Sequence, residues 1–418
     1  MPLNPRPGQS RPASRPPGPA GGAAPIVWRL PNGTVEIRVD RADMRWDDLF
    51  VVASRYNPRR GFIFVSKVLG KHWPVRPKAM AMVHGLLAGK LAVLGLEKPL
   101  VAIAMAETAV GLGRGIFDRY AEFRGTDGLL FLQTTRHLTG APALLTADEP
   151  HCHARDHTVH VPEGDPEKAR ILAGARTLVL VDDEITTGET LKGLARAFVA
   201  GPGRGPGTAG PGAGGPPGSG GGVRRVVLCS IASFLAPEAR AELASALPVP
   251  VSGASLLEGT FTFRKTGDMA PPGTFRSVGA GLPSPGTVPV ERGRLGLLPG
   301  EGLPDLKATV AGLSLPPGVP VRVIGTGEFL HEPFLLARAL EEEGRDVAFQ
   351  STTRTPIAPG GGIACSMRFE DNYGEGLDNF LYNAPASFPG ETVVCRETAA
   401  SPEGFDVAAR LGAREIML

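Results

Sequence analysis

Paired carboxylates and a run of hydroxyl groups follow an apolar segment in residues 177–190, TLVLVDDEITTGET. Asp182 and Asp183 come directly after that segment, and ionised carboxylates accept hydrogen bonds from neighbouring hydroxyls of a sugar. The loop that follows opens a predicted helix, whose free backbone N–H groups and dipole favour a phosphate. Its residues are Thr186, Thr187, Gly188, Glu189 and Thr190. This order of groups suits a ribose 5-phosphate.

Other phosphate-binding loops have different patterns. The segment lacks GxxxxGK[ST] and GxGxxG, which disfavours a Walker A site and a dinucleotide-binding fold. An alternative interpretation is that Asp182 and Asp183 only stabilise a turn and that Thr187 caps the helix, as such residues often do. That alternative does not explain why strand, acids and loop come in this order.

A second candidate turn follows another apolar segment, residues 101–105. Glu107, Thr108 and Ala109 lie between this predicted strand and a predicted helix that reaches residue 124. Because ligands of parallel sheets bind at the carboxyl ends of the strands, we expect this turn to lie near the aspartate pair. The alternative is an ordinary strand-to-helix turn with a capping threonine.

The 177–190 segment resembles the motif by which type I phosphoribosyltransferases bind 5-phosphoribosyl 1-diphosphate (PRPP): an apolar strand, two acidic residues and a Thr-Thr-Gly loop. The resemblance implies that the aspartates hold the ribose, the 186–190 loop the 5-phosphate, and the backbone amides of residues 107–109 the diphosphate. Glu189 stands where a second glycine is common, so it brings a carboxylate beside the expected phosphate.

The same resemblance implies a reaction and its partners. The 5-phosphoribosyl group would pass from PRPP to a small-molecule acceptor, a nucleobase-like heterocycle at the level of the family, with release of diphosphate. A magnesium ion (Mg2+) bound to the diphosphate is expected as cofactor. The alternative function is a catalytically silent PRPP-binding regulatory module.

Three further segments resemble one branch of these enzymes, which is found in bacterial tellurite-resistance and stress-response gene clusters; the segments are residues 57–77, 105–113 and 148–160. In that branch a second domain follows, named TRSP for its Thr-Arg-Ser-Pro motif. This chain has STTRTP at residues 351–356, with Thr355 where the name calls for serine.

Half of the chain's eight histidines lie in residues 151–160, together with Cys152. The resemblance places this stretch in a hood over the substrate, where basic side chains would neutralise the departing diphosphate. The candidates are Arg136, His137, His153 and Arg155. Alternatives are a structural loop or a zinc site, since His153 and His157 would share one face of a helix.

Three other basic residues are candidate contacts. Lys67 and Lys71 flank a short glycine-containing turn and are candidates for contact with phosphate or base. Arg354 follows a predicted strand at 347–350 and resembles an anion-binding position of the second domain. Each has an ordinary alternative, a solvated lysine or a surface turn.

Alternating strands and helices predict an α/β fold with a parallel sheet and helices on its faces. Predicted strands of the first domain are 101–105, 129–133, 178–181 and 225–233, and predicted helices are 79–95 and 189–199. A second, smaller α/β domain is predicted from strands 321–324, 347–349 and 393–395 and a helix at 330–343. The predicted boundaries are a disordered tail at 1–25, a phosphoribosyltransferase-like domain at 26–270 with a flexible Gly/Pro insertion at 201–222, a linker at 271–299 and a TRSP-like domain at 300–418.

Composition excludes some partners. Forty-four lysines and arginines against 42 acidic residues give the 418-residue chain a net charge of +2, so we expect neither a nucleic-acid nor a membrane partner. Four cysteines without a CxxC pair fit a reduced compartment. With no apolar signal segment in the tail, the expected location is cytoplasmic. The sequence leaves a homo-oligomer open.

Overall fold

The structure of the chain, a computed structural model, describes residues 24–57, 60–137, 139–147, 157–162, 164–201, 222–276, 288–289, 293–398 and 404–418. Most of the predicted tail, the 201–222 insertion except its ends, and most of the histidine-rich stretch therefore lie outside the described residues. In the described ranges, no helix has both the length and the apolar character that a membrane crossing requires.

The first part of the chain, up to residue 265, alternates strands with helices. Its strands are β1 (Ile26–Leu30), β2 (Gly33–Ala42), β3 (Phe50–Ser54), β4 (Phe62–Ser66), β5 (Leu100–Ala104), β6 (Leu129–Gln133), β7 (Ala143–Ala147), β8 (His157–His160), β9 (Thr177–Ile185), β10 (Arg225–Ser233) and β11 (Val251–Lys265). Its helices are α1 (Trp46–Leu49), α2 (Pro77–Val93), α3 (Val110–Arg124), α4 (Pro166–Ala173), α5 (Glu189–Ala200) and α6 (Pro237–Ser245).

A seven-stranded sheet organises this part, in the order β1-β2-β11-β10-β9-β5-β6. Strands β6, β5, β9, β10 and β11 run parallel, while β1 and β2 form an antiparallel edge. Leu178 and Leu180 of β9 pack into one buried cluster, and Val179 and Val181 pack into another on the opposite face. Both faces are thus covered, which is why β9 is apolar at every position from Leu178 to Val181.

Helix α3 lies unusually close to the sheet. A Cβ atom added at Gly113 would lie 2.4 Å from Cβ of Ala104, so only a residue without a side chain fits there. Gly115 has the same role against α2, because an added Cβ would lie 2.0 Å from Nδ1 of His84. This close packing holds the start of α3 beside the end of β5.

The second part of the chain forms a smaller parallel sheet. Its elements are α7 (Leu306–Leu313), β12 (Val321–Gly325), α8 (His331–Glu342), β13 (Val347–Ser351), β14 (Ser366–Glu370), β15 (Asp378–Tyr382), β16 (Glu391–Arg396), α9 (Val407–Leu411) and β17 (Arg414–Met417). The sheet order is β13-β12-β16-β17, all parallel, with α8 joining β12 to β13. Strand order reverses between β12 and β16, the place where ligands of such sheets usually bind.

The predicted fold class, a parallel-sheet phosphoribosyltransferase-type domain with a smaller α/β domain after it, is confirmed. The strands predicted at 129–133 and 225–233 have those bounds in the structure. Strand β9, in contrast, continues to Ile185 instead of ending at residue 181, because Asp182 and Glu184 pair with Ser230 and Ala232 of β10. The acids thus lie on a strand, which fixes their backbone more firmly than a loop would.

Part of the predicted linker packs against the first sheet. Residues 277–287 and 290–292 lie outside the described residues, but Leu297 exchanges backbone hydrogen bonds of 2.9 Å with Phe131 of the edge strand β6. Arg294, three residues earlier, is 1% exposed. The chain therefore enters the second domain along the edge of the first sheet.

Candidate active site

Three parallel strands of the first sheet end side by side. Ala104, the last residue of β5, is the partner of Gln133 in β6 and of Val181 in β9. The N–H of Met105 then donates to the carbonyl of Val181 at 2.9 Å. The segments that leave these strands start at one edge of the sheet, where ligands of parallel sheets bind. They are residues 105–109 and 134–137, together with residues 182–190, of which the first four still belong to β9.

The aspartate pair lies at the end of β9 and is partly exposed. The N–H of Asp183 donates to Oδ1 of Asp182 at 2.9 Å. Removal of water by the surrounding protein, together with the nearby charge of Asp183, raises the pKa of Asp182 well above its ordinary value, and burial raises the pKa of Asp183 as well. Such a pair gains from any ligand that donates hydrogen bonds to it.

Glu184 adds a third carboxyl group at this edge. Its Oε1 accepts a hydrogen bond of 2.5 Å from Nη2 of Arg60, whereas Oε2 is buried and has no hydrogen-bond partner among the described residues. Burial raises the pKa of Glu184 from 4.5 to about 7, although the guanidinium of Arg60 opposes the shift. A carboxyl group that is partly ionised near neutral pH can both take up and release a proton.

Gly188 shapes the predicted phosphate loop. It has a φ of 73°, in the left-handed region that glycine adopts without strain, and it immediately precedes α5. A Cβ atom added there would lie 3.1 Å from Cδ2 of Leu235. Gly188 provides no side-chain cap for α5, and the N–H of Glu189 makes only a long hydrogen bond of 3.5 Å to Oγ1 of Thr187, so the first turn can donate to a ligand.

Glu189, the departure from the family pattern, has a cation beside it. Nζ of Lys192, one turn further along α5, lies 2.8 Å from Oε1 of Glu189 and 2.6 Å from Oε1 of Glu242. The Glu189 side chain is 43% exposed, and the Lys192 side chain is 15% exposed. The carboxylate beside the loop is therefore paired with an ammonium group.

The turn at residues 105–109 is held through its backbone. The N–H of Ala106 donates to Oγ1 of Thr134 at 2.7 Å, and the N–H of Ala109 donates to the carbonyl of Met105 at 3.0 Å. The peptide bond between Ala106 and Glu107 is cis. Helix α3 starts one residue after Ala109. The predicted diphosphate turn thus lies at the N-terminus of a helix, next to the end of β9.

The side chain of Glu107 points toward the second domain. Its Oε1 is ion-paired with Nζ of Lys71, and its Oε2 lies 3.4 Å from the backbone N–H of Arg354. Lys71 is 1% exposed and donates a second hydrogen bond, of 2.6 Å, to the carbonyl of Gly327. Burial lowers the pKa of Lys71, and the charge of Glu107 opposes that shift. Lys71 is thus occupied by protein groups.

The other two predicted basic contacts, Lys67 and Arg354, lie in different parts of the structure. Lys67 donates to the carbonyl of Asp47 on the surface. The guanidinium of Arg354 donates to Oε2 of Glu375 at 2.6 Å and lies 3.0 Å from Nδ1 of His137. The structure therefore brings Arg354 and His137 together, but on the side of the second domain.

Of the predicted hood residues, the structure describes Arg136 and His137; His153 and Arg155 lie outside the described residues. Nη2 of Arg136 lies 3.1 Å from Nε2 of His157, whose Nδ1 is 2.9 Å from Oγ1 of Thr134.

His157 itself is in strand β8, not in the helix that the zinc alternative requires. The alternation of His-Thr-Val-His lets this segment pair with β7 as an antiparallel hairpin. Among the described residues, no group of three or more potential ligands is placed to hold a metal ion. His151 and Cys152 lie outside that range.

A buried charge network joins the two sheets. Glu328, which follows β12, accepts hydrogen bonds from Oγ1 of Thr135 at 2.7 Å and from the N–H of Arg136 at 2.9 Å. Arg294 bridges Glu328 and Glu397, at 3.2 and 2.8 Å. The carboxyl edge of the second sheet thus meets the carboxyl edge of the first.

Sequence reasoning missed several of these residues: Arg60, Thr134, Glu184, Arg294 and Glu397. Most are charged groups at strand ends whose partners are distant along the chain. Glu184 could have been found from the sequence, because it is a third acid that directly follows the aspartate pair near the end of an apolar strand.

Comparison with known proteins yields two family matches. The model of a phosphoribosyl transferase family matches residues 49–204, and the model of the TRSP domain that lies C-terminal to this transferase matches residues 293–411. The two matches follow one another in the order that the second description states, and together they cover more than half of the chain.

Solved structures give distant matches. The adenine phosphoribosyl transferase of Trypanosoma brucei is 12% identical with a TM-score of 0.32, over 50% of this chain and 76% of that one. The corresponding enzymes of Rhodothermus marinus and Giardia lamblia are 15% and 14% identical, each with a TM-score of 0.29, over 50% and 48% of this chain and 94% and 91% of theirs. No curated protein matches the chain.

Proposed function

We propose that this chain, which belongs to the phosphoribosyl transferases that carry a C-terminal TRSP domain, transfers the 5-phosphoribosyl group of PRPP to a nucleobase-like acceptor and releases diphosphate. In this proposal Asp182 and Asp183 hold the ribose hydroxyls, and the 186–190 loop holds the 5-phosphate. The 107–109 turn holds the diphosphate through the amides of Glu107 and Thr108, because the amide of Ala109 donates to the carbonyl of Met105. Magnesium enters with the substrate, bound to its diphosphate.

The observation that carries the proposal is the shared register of β5 and β9. Because Ala104 pairs with Val181, the 105–109 turn and the aspartate pair start next to each other, and the uncapped helix α5 follows the pair by a few residues. Two groups of backbone donors therefore flank a pair of acceptors. PRPP presents the matching order: a diphosphate, two ring hydroxyls and a phosphate.

The reaction requires stabilisation of the departing diphosphate and a base that takes up the acceptor's proton. The bond between C1 of the ribose and the diphosphate oxygen breaks with its electron pair leaving on the diphosphate, while the acceptor forms a new bond to C1. Amides and basic side chains that face the departing oxygens lower the barrier by stabilising the growing charge. We assign this task to the amides of Glu107 and Thr108 and to Arg136, and to His153 and Arg155 from the stretch that the family resemblance places in the hood.

Glu184 is the proposed base for the acceptor. Arg60 fixes one of its oxygens, and the other is buried without a partner among the described residues. An N–H of the acceptor would satisfy this oxygen. As the new bond to C1 forms, the acceptor's proton moves to this oxygen and is later released to water. A pKa of about 7 makes the carboxylate available at neutral pH.

Calorimetric titration of the full chain with magnesium PRPP tests the proposal. We expect binding to the wild type and its loss in Asp182→Asn/Asp183→Asn, because each asparagine side chain has one acceptor oxygen where the aspartate has two. The matched control is Asp40→Asn/Asp48→Asn, which changes two exposed aspartates in the same way and leaves binding unchanged. A folded wild type that does not bind PRPP contradicts the proposal.

Turnover separates the two functions that PRPP binding allows. Incubation with PRPP and a metabolite extract should release diphosphate only when both are present, and mass spectrometry then identifies the ribosylated acceptor. PRPP binding without diphosphate release would instead indicate the regulatory module. A place in tellurite resistance, proposed from the branch resemblance alone, predicts that a deletion strain becomes more sensitive to tellurite.

A further inference from the structure

The turn at residues 105–109, the proposed diphosphate site, contacts the second domain as well as its own. The carboxylate of Glu107 is paired with Lys71 through one oxygen, and the N–H of Arg354 approaches its second oxygen. This pairing compensates the negative charge beside the proposed diphosphate site. It also places the turn's only acidic side chain between the two domains.

Lys71 is fixed by the second domain. Its Nζ donates to the carbonyl of Gly327, in the turn after β12. Four residues later, Val75 exchanges backbone hydrogen bonds of 2.9 and 2.8 Å with Phe349 of β13. The segment that carries Lys71 therefore behaves as an added edge of the second domain, although it belongs to the first part of the chain.

The opposite side of the turn is fixed in the same way. Thr134 accepts the hydrogen bond from the N–H of Ala106, and Thr135 and Arg136, directly after it, both donate to Glu328 of the second domain. Both neighbours of the turn are thus attached to the segment 327–328. Donor groups aimed in advance at the site of developing charge are the effective ones in catalysis, and they need rigid support.

We propose that the second domain positions the diphosphate turn, with Lys71 and Glu107 as the positioning residues that transmit its support. The inference rests on the proposed function, because it takes the 105–109 turn as the diphosphate site. It gives the TRSP domain a part in the first domain's reaction. Without the carbonyl and amide groups of the second domain, Lys71 and Glu107 would no longer be held in place, and the amides of the turn would no longer be oriented toward the diphosphate.

The test compares two probes that occupy opposite ends of the site, magnesium diphosphate and ribose 5-phosphate, by calorimetry on the full chain. We expect Lys71→Met and Glu107→Gln each to weaken magnesium diphosphate binding at least about tenfold, and to leave ribose 5-phosphate binding within about twofold. In Lys71→Met/Glu107→Gln the effects should not add, because both changes break one contact. Glu107→Gln keeps the test valid if Lys71→Met fails to fold.

Lys98→Met is the matched control. Lys98 also donates to backbone carbonyls, those of Arg124 and Gly125, but at the opposite end of β5, so both probes should bind as in the wild type. Unchanged diphosphate binding in the two variants, or an equal loss of both probes, overturns the inference while leaving the proposed function intact. A wild type that binds neither probe nor PRPP overturns the proposed function, and the inference with it.

Discussion

The guanidinium of Arg294 lies 3.2 Å from Oε2 of Glu328, and neither side chain is more than 3% exposed. Each charge would be costly to bury alone, so each depends on the other. Burial by itself would raise the pKa of Glu328, but His137 and Arg294 outweigh it, with hydrogen bonds from Thr135 and Arg136, and lower the pKa from 4.5 to about 2. The contact between the two sheets is therefore sensitive to acid.

Acid should weaken this contact in a defined pH range. Because the folded-state pKa of Glu328 is depressed, its stabilisation is complete above about pH 4.5 and is lost as the pH falls toward 2. The shift corresponds to about 3 kcal/mol in the free energy of unfolding. Urea unfolding at pH 7 and at pH 2.5 should show that Glu328→Gln removes this part of the pH dependence. The exposed Glu238→Gln in α6 should follow the wild type at both pH values; parallel curves for all three proteins contradict the assignment.

Gly188 should be intolerant of a side chain. Alanine at a φ of 73° costs about 1–2 kcal/mol, and its Cβ would press on Leu235. We expect Gly188→Ala to lower the melting temperature and to weaken ribose 5-phosphate binding, since the first turn of α5 must shift. Gly193→Ala, five residues on and with open space around it, should instead stabilise α5 by up to about 1 kcal/mol. Equal effects of the two substitutions on binding would show that the loop conformation is not what matters.

The central strands of the first sheet, and the edge at which they end, could be predicted from the sequence for a physical reason. Strands covered on both faces are apolar throughout, so the change from Val181 to Asp182 marks where β9 leaves its core. The end of each strand is visible in its local sequence, and the parallel arrangement of the strands brings these ends together at one edge of the sheet. The structure ends β9 later than predicted, at Ile185, because pairing with β10 continues past the point where β5 stops.

The contacts between the domains could not be predicted in this way. The sequence around Lys71 is typical of a surface lysine. No neighbouring residue indicates that the carbonyl of Gly327, 256 residues away, accepts its hydrogen bond. Arg294 lies in a turn-rich stretch that has the composition of a linker. Buried charges are stabilised by partners from distant segments, and a single sequence does not show which distant residues pair.

Glu184 should make stability depend on pH in the opposite direction from Glu328. Its folded-state pKa is raised from 4.5 to about 7, so its favourable contribution is complete below about pH 4.5 and is lost as the pH rises through 7. Glutamine cannot ionise. We therefore expect Glu184→Gln to match the wild type at pH 5 and to be more stable at pH 8.5, by on the order of 3 kcal/mol, in urea unfolding. A variant that is no more stable at pH 8.5 would mean that Glu184 ionises freely and is a poor candidate for the base.

Lys192 should determine how well the loop tolerates Glu189. A carboxylate in the first turn of α5 competes with a bound phosphate for the same positive potential, and Lys192 now compensates it at 2.8 Å. Lys192→Met should therefore weaken PRPP binding about two- to fivefold at low salt, and Glu189→Gln should strengthen it by a similar factor. Because both groups are near solvent, the effects should shrink as ionic strength rises. Calorimetry at 20 and at about 300 mM salt checks this, and Lys192→Met/Glu189→Gln should bind PRPP like the wild type, because it removes the carboxylate together with its compensating cation. If Lys192→Met binds PRPP normally at low salt, the carboxylate does not reach the phosphate, and its place in the loop has no electrostatic cost.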